Sequence, residues 1–117
     1  MRHALALAAL ILTSACAASH TTSAQDSREA RGQAIVEQNC SSCHATGRSG
    51  DSPSPEAPPF RTLSHNYRVD SLEEAFAEGI SVGHPMMPQF AFPPDDVRAL
   101  VAYLQSIQNE RPPPHQE

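Results

Sequence analysis

The sequence predicts a small all-α protein. Its clearest pattern is a stripe of apolar residues near the C-terminus, which repeats at the i, i+3, i+4 spacing of a helix. No stretch alternates apolar and polar residues as a half-buried strand would, and no segment is repeated. A chain of 117 residues is one domain at most. These observations predict a single helical domain.

The N-terminus has the pattern of a secretory signal peptide, which we expect to cover residues 1–24. A short basic start precedes an uninterrupted apolar run from Ala4 to Leu12, and small and polar residues follow. That run is too short to span a bilayer. Small residues suit cleavage after Ala24 or, alternatively, after Ala17. The chain also has a weak match to a lipoprotein signal that would end before Cys16.

Either way of processing predicts an exported protein, in the periplasm or tethered to a membrane as a lipoprotein. Lipid on Cys16 would be the one contact with that membrane. Residues 25–111 are then the predicted domain, and residues 112–117 are a Pro-rich tail.

A first helix is predicted from about Ser27 to Asn39. Gly32, Val36 and Cys40 recur at every fourth position, so they lie along one face of it. A Gly inside a helix costs about 1 kcal/mol relative to Ala. It is tolerated more readily where another helix approaches closely.

The end of this helix carries the motif Cys40-x-x-Cys43-His44. Two thiols three positions apart on a helical turn lie on one face, so both can bond to the vinyl groups of one porphyrin. The His that follows is then held under the ring, where it can reach the iron. This is the attachment signature of c-type haem. A thioredoxin-like pair or half of a zinc site is disfavoured, because neither a βαβ pattern nor a second ligand pair follows.

The segment from Ala45 to Val69 is rich in Pro, Gly and Ser and is predicted to be a loop around the cofactor, with Phe60, Leu63 and Tyr67 facing it. A helix of about two turns should follow, beginning at a capping box of Asp70 or Ser71 with Glu73 or Glu74.

Gly79 is expected to end this short helix in a left-handed turn, and Ile80–Pro94 is predicted to be irregular. The last helix should begin at Pro94, with Asp95 and Asp96 at its positive end. Tyr103 borders its apolar stripe, which consists of Val97, Leu100, Val101, Leu104 and Ile107.

Composition indicates a prosthetic group and excludes some partners. The chain has no Trp, and aromatic residues make up 5% of it, so a domain this short lacks the means to build a large core. The formal net charge is −5, and all the basic residues are Arg. This charge argues against nucleic acid and anionic membrane surfaces as partners.

A haem held by His44 has a second axial position. Met86-Met87-Pro88 lies in a Pro-rich loop that can present a thioether sulfur, a ligand that raises the potential relative to His. Met87 is the predicted ligand, because the following Pro fixes the backbone beside it. His84 is the first alternative and His65 the second, while Met86 and Met87 could also be ordinary core residues.

The chain resembles the class I cytochromes c, in particular the small bacterial cytochromes with one haem. The resemblance runs from about Arg31 to Ile107 and rests on Gly32, Val36, Cys40, Cys43, His44, Ala57-Pro58, Gly83-His84-Pro85, Met87-Pro88, Leu100 and Tyr103. It implies three to five helices wrapped around one covalent haem c. It also implies that the first and last helices cross near Gly32 and Tyr103.

The resemblance further implies that the carbonyl of Pro58, or alternatively of Pro59, orients His44 through its other ring nitrogen. The chain departs from the family in two respects. Val36 stands where the family often has an aromatic residue, which predicts a looser helix crossing. The Lys residues that some members use for docking are absent, so their partners are not carried over.

The predicted function is single-electron transfer between redox partner proteins whose identity the sequence does not give. Iron with both axial sites filled disfavours chemistry on a substrate, so the protein is not expected to be an enzyme, and a monomer is expected. Two alternatives remain: a haem subunit of a larger dehydrogenase or oxidase, and a ligand-binding or peroxidase-like protein with a labile sixth ligand.

Overall fold

The computed structural model describes residues 17–79 and 87–109 of the chain. This part contains three α-helices, α1 (Ala17–Cys40), α2 (Leu72–Glu78) and α3 (Pro94–Ser106). Two short 3-10 helices, Phe60–His65 and Val69–Ser71, precede α2. The described residues contain no strand, so the all-α prediction is confirmed. No helix in this part is long and apolar enough to cross a membrane.

Helix α1 begins about ten residues before the predicted start at Ser27. Its first turns contain neither Gly nor Pro, so nothing in the sequence interrupts the helix there. The side chains of residues 22–28 are all exposed, and they add nothing to the core. The packed part of α1 therefore starts near the residue that the sequence predicts.

Helices α1 and α3 cross closely at Gly32. A Cβ atom at this position would lie 2.0 Å from the carbonyl oxygen of Ala99 and 2.8 Å from Cβ of Tyr103. Only a residue without a side chain allows this approach. The predicted crossing near Gly32 and Tyr103 is confirmed, but the expected looseness at Val36 is wrong. Val36 is completely buried, because the two backbones meet one helical turn away.

The apolar stripe of α3 forms most of the core, as predicted. Val97, Leu100, Val101, Leu104 and Ile107 are all buried, and Tyr103 is buried beside them. Val36 from α1, Phe60 and Val69 from the 3-10 helices, and Phe76 from α2 complete the same cluster. The core is thus built on α3, which contacts α1, α2 and the second 3-10 helix.

Helix α2 has the predicted length, but its start differs from the prediction. The hydroxyl of Ser71 donates to the carbonyl of Arg68 at 2.6 Å, and the carboxylate of Asp70 pairs with the Arg68 guanidinium. No capping box forms, because the preceding 3-10 turn already engages both residues. Gly79 ends α2 with a φ of 107°, as the sequence predicts.

Candidate functional site

The Cys-x-x-Cys-His motif lies where α1 ends. Cys40 is the last residue of the helix, and its carbonyl accepts hydrogen bonds from the backbone N–H groups of Cys43 and His44, at 3.1 and 3.0 Å. The chain therefore makes one further turn, which keeps both thiols at the same end of α1. Both cysteines are free and half-buried.

Burial raises the pKa of the Cys40 thiol to about 11, and the neighbouring Cys43 adds to this effect. Without a bound cofactor the Cys40 side chain is therefore a neutral thiol at neutral pH.

The ring of His44 is held by two neighbours. Its Nδ1 atom lies 2.8 Å from the carbonyl oxygen of Pro58, and its centroid is 4.5 Å from that of the Phe60 ring. A carbonyl only accepts, so the proton of the imidazole is on Nδ1. The lone pair is then on Nε2, the atom that can bind a metal. The resemblance predicts Pro58 as the partner of His44, with Pro59 as the alternative, and the structure brings Pro58 to it.

The loop before Phe60 is ordered by hydrogen bonds instead of secondary structure. Its chain returns to the motif, because the N–H of Ser54 donates to the carbonyl of Cys43 at 3.1 Å. The hydroxyl of Ser52 accepts from the N–H of Ala45 at 3.0 Å, and the Arg61 guanidinium donates to the carbonyl of Gly50 at 2.8 Å. These bonds fix the loop that carries Pro58.

The loop before Phe60 is also joined to the core by a hydrogen bond from α3. The hydroxyl of Tyr103 on α3 donates to the carbonyl of Thr46 at 2.8 Å. Burial raises the pKa of Tyr103, the carboxylate of Glu37 raises it further, and Arg48 acts in the opposite direction. Tyr103 therefore stays a neutral donor well above neutral pH.

The predicted sixth ligand, Met87, is half-buried and packs against the hydrophobic core. Its alternatives Met86 and His84 lie outside the described residues. His65, the remaining alternative, is exposed at the end of the first 3-10 helix. None of these observations tests which residue binds the iron, so Met87 stays a prediction.

The residues present fit a haem better than a metal held by protein atoms alone. Within residues 17–79 and 87–109, no three His, Cys, Asp or Glu side chains come together as a metal site. A porphyrin supplies four nitrogen ligands of its own, so one His and one further ligand complete the iron. His44 offers Nε2 for this purpose, and two free thiols stand immediately before it.

Gln108 was missed by the sequence reasoning. Its side chain bonds to the backbone of the first 3-10 helix and of α3. A polar residue just after an amphipathic helix is common, and no local pattern in the sequence marks it as structural. Two of its three backbone partners, Ser64 and Phe60, are 44 and 48 residues away along the chain.

Comparison with known proteins identifies a family. A family model described as Cytochrome c matches residues 29–108, more than half of the chain. The match begins in α1 and extends two residues past α3. Neither the curated proteins nor the solved structures gave a significant match.

Proposed function

The chain belongs to the cytochrome c family, and from this premise we propose that it carries single electrons in the bacterial cell envelope with His44 and Met87 as the iron ligands. Members of the family transfer electrons and bind haem c covalently, and this chain has the two cysteines at the spacing that attachment requires. The observation that carries the proposal is the hydrogen bond from His44 Nδ1 to Pro58.

Haem c supplies one-electron chemistry through its iron. Cys40 and Cys43 hold the ring by their sulfur atoms. His44 would hold the iron through Nε2, and the Pro58 carbonyl keeps the imidazole in the tautomer and orientation that this requires. The Phe60 ring lies against the imidazole of His44 and restricts its movement. These residues therefore need to move little during electron transfer.

Met87 is proposed for the other side. A thioether is neutral and soft, so it favours the ferrous state and raises the reduction potential. Pro88, which directly follows Met87, supports this role because it restricts the backbone beside the thioether. If His44 and Met87 both held the iron, no position on it would be left for a substrate.

The test is an optical redox titration of the purified haem protein and its Met87→Ala variant. Without the thioether, the haem should become high-spin or take another ligand, and the potential should fall. Axial ligands and their surroundings set haem potentials over a span of about 0.8 V, so we expect a drop on the order of 0.1 V. Met86→Ala is the matched control, since it removes the adjacent thioether and should leave spectrum and potential unchanged.

Two results would contradict the ligand assignment. An unchanged spectrum in Met87→Ala would exclude Met87, and a changed spectrum in Met86→Ala would move the ligand to its neighbour. Rapid binding of CO or cyanide to the unmodified protein would instead indicate a five-coordinate haem and a ligand-binding or peroxidase-like function.

We also propose that residues 1–24 are removed during export to the periplasm and that the protein acts there as a monomer. Exposure of the side chains of residues 22–28 supports the first point, because cleavage after Ala24 would leave the core intact. The mass of the exported protein is the test. A mature N-terminus at Gln25 is expected, whereas diacylglycerol on Cys16 would make the protein a tethered lipoprotein.

A further inference from the structure

We infer that Gln108 is a positioning residue for His44, because its side chain fixes the short segment that presents the Pro58 carbonyl and the Phe60 ring. This inference rests on the proposed role of His44 as an iron ligand. It extends that role from the motif at the end of α1 to a residue that follows α3.

The carboxamide of Gln108 uses both of its ends. Its Nε2 donates to the carbonyl of Phe60 at 2.8 Å and to the carbonyl of Leu104 at 2.6 Å. Its Oε1 accepts from the N–H of Ser64 at 2.9 Å. The partners fix the orientation of the amide, since two carbonyls require the NH₂ group and an N–H requires the oxygen. Three hydrogen bonds thus join the first 3-10 helix to α3.

The bonded backbone is largely removed from water. Phe60 is 8% exposed and Ser64 is 1% exposed. A buried N–H or carbonyl that loses its partner carries the full cost of its desolvation. The next residue strengthens the same connection, because the N–H of Asn109 donates to the carbonyl of Arg61 at 3.0 Å. The start of the 3-10 helix is therefore held to the end of α3.

Phe60 transmits this restraint to His44. Its carbonyl accepts from Gln108, while its own N–H donates to the carbonyl of Ala45 at 2.9 Å. Ala45 directly follows His44, and the Phe60 ring lies against the imidazole. Pro58, which accepts from His44 Nδ1, is two residues before Phe60. A continuous set of contacts thus runs from α3 through Gln108 to Phe60, which touches the imidazole and follows its hydrogen-bond partner Pro58 by two residues.

The restraint has a chemical consequence. A firm hydrogen bond from Nδ1 to a carbonyl makes the imidazole a more basic ligand through Nε2. A basic ligand favours the ferric state and lowers the potential. If the Pro58 carbonyl is free to shift, the bond weakens on average and the potential rises. Gln108 therefore contributes to the potential without touching the haem ligand.

The experiment uses the haem protein and two variants of similar shape. Gln108→Met keeps the side-chain volume and removes all three hydrogen bonds. Gln105→Met makes the same change at an exposed position of α3. In Gln108→Met we expect a higher reduction potential and a His44 Nδ1–H proton that exchanges about tenfold faster by NMR of the reduced protein, the factor expected for losing one hydrogen bond's net contribution. Gln105→Met should match the parent protein in both measurements.

A purely structural role would give a different result. If Gln108→Met lowers the melting temperature but leaves the potential and the Nδ1–H exchange unchanged, the inference is overturned. Equal effects of Gln105→Met and Gln108→Met would overturn it as well.

A measurement on the parent protein covers the case in which Gln108→Met does not fold. The Ser64 N–H, which bonds to Gln108, and the His44 Nδ1–H should exchange with the same protection and the same dependence on denaturant. Rapid exchange at Ser64 beside a protected Nδ1–H would refute the coupling. The NMR spectrum of the parent protein separates a failure of this inference from a failure of the proposed function. If the spectrum shows no signal of a His44 ligand, the proposed ligation is wrong. If only the role of Gln108 is wrong, that signal is still present.

Discussion

At the scale of single residues, the site depends on a few backbone groups whose partners are far away in sequence. The imidazole of His44 is oriented by the Pro58 carbonyl, and the loop between them is joined to α3 by Tyr103. Tyr103 borders the apolar stripe of α3 and is buried beside it, and its hydroxyl also bonds to the carbonyl of Thr46. The Tyr103 side chain thus packs between the helices and also helps to fix the loop that carries Pro58.

Tyr103→Phe should lower the free energy of unfolding by about 0.5–1.5 kcal/mol at neutral pH, the net value of one hydrogen bond. The pKa of Tyr103 is raised in the folded protein, so the unfolded chain loses this proton first, near pH 10. The stability supplied by the neutral phenol is complete below about pH 10 and is lost as the pH rises toward the folded pKa. The parent protein should therefore lose its advantage over Tyr103→Phe as the pH rises above about 10.

Guanidinium unfolding of both proteins from pH 7 to 11 provides the measurement. Tyr67→Phe is the control, because Tyr67 is 55% exposed and its change should be within about 0.5 kcal/mol of the parent. A difference between parent and Tyr103→Phe that grows above pH 10 would contradict the argument.

At the scale of elements, the decisive feature is the crossing of α1 and α3. Gly32 lets the backbone of α1 meet the carbonyl of Ala99, and Val36 is then buried one turn further on. Outside the crossing, Arg31 donates from Nε to Asp96 at 2.8 Å. This exposed ion pair adds little to stability, since such pairs contribute about 0–1 kcal/mol. Packing at the glycine therefore sets the angle and distance at which α1 delivers the Cys-x-x-Cys-His motif.

Gly32→Ala should destabilise the haem protein by about 1–3 kcal/mol, the usual cost of adding a methyl group to a packed contact. The new Cβ would lie 2.0 Å from the carbonyl oxygen of Ala99, and backbone atoms cannot move aside alone. Gly47→Ala is the matched control: no atom lies within 4 Å of its added Cβ, so its change should stay within about 0.5 kcal/mol. Denaturant unfolding followed by the haem absorbance compares them, and equal stabilities would show that the crossing is loose.

At the scale of the whole molecule, the feature that bears on the choice of redox partner is the net charge. The net charge is −5. In the described part, three of the six Arg residues pair with nearby carboxylates, whereas the three Glu residues of α2 are exposed. An acidic surface attracts cations and repels anions over roughly the Debye length. We therefore expect a redox partner of this protein to dock through a basic surface.

Small charged redox reagents test whether the negative net charge affects the approach of a partner. Oxidation of the reduced protein by a cationic cobalt(III) complex should slow as the ionic strength rises from about 0.01 to 0.15 M, because the Debye length falls from about 30 to 8 Å. Oxidation by anionic ferricyanide should accelerate over the same range. Stopped-flow rates measure both, and the same salt dependence for both reagents would exclude a role of the net charge.

The sequence alone determined the features that depend on neighbouring residues. The haem motif, the buried stripe of α3 and the end of α2 at Gly79 follow from local spacing and local conformation, and the structure bears out the last two. The crossing at Gly32 was also predictable, through the family resemblance.

Only the tertiary structure decided which distant groups meet. It brought the Pro58 carbonyl to His44, and it brought Gln108 to a backbone more than 40 residues away. Such hydrogen bonds leave no periodic trace, because any exposed carbonyl or N–H of the chain could have formed them. Packing on α3 buries Phe60 and Ser64, and their buried backbone groups then need a partner, which Gln108 supplies.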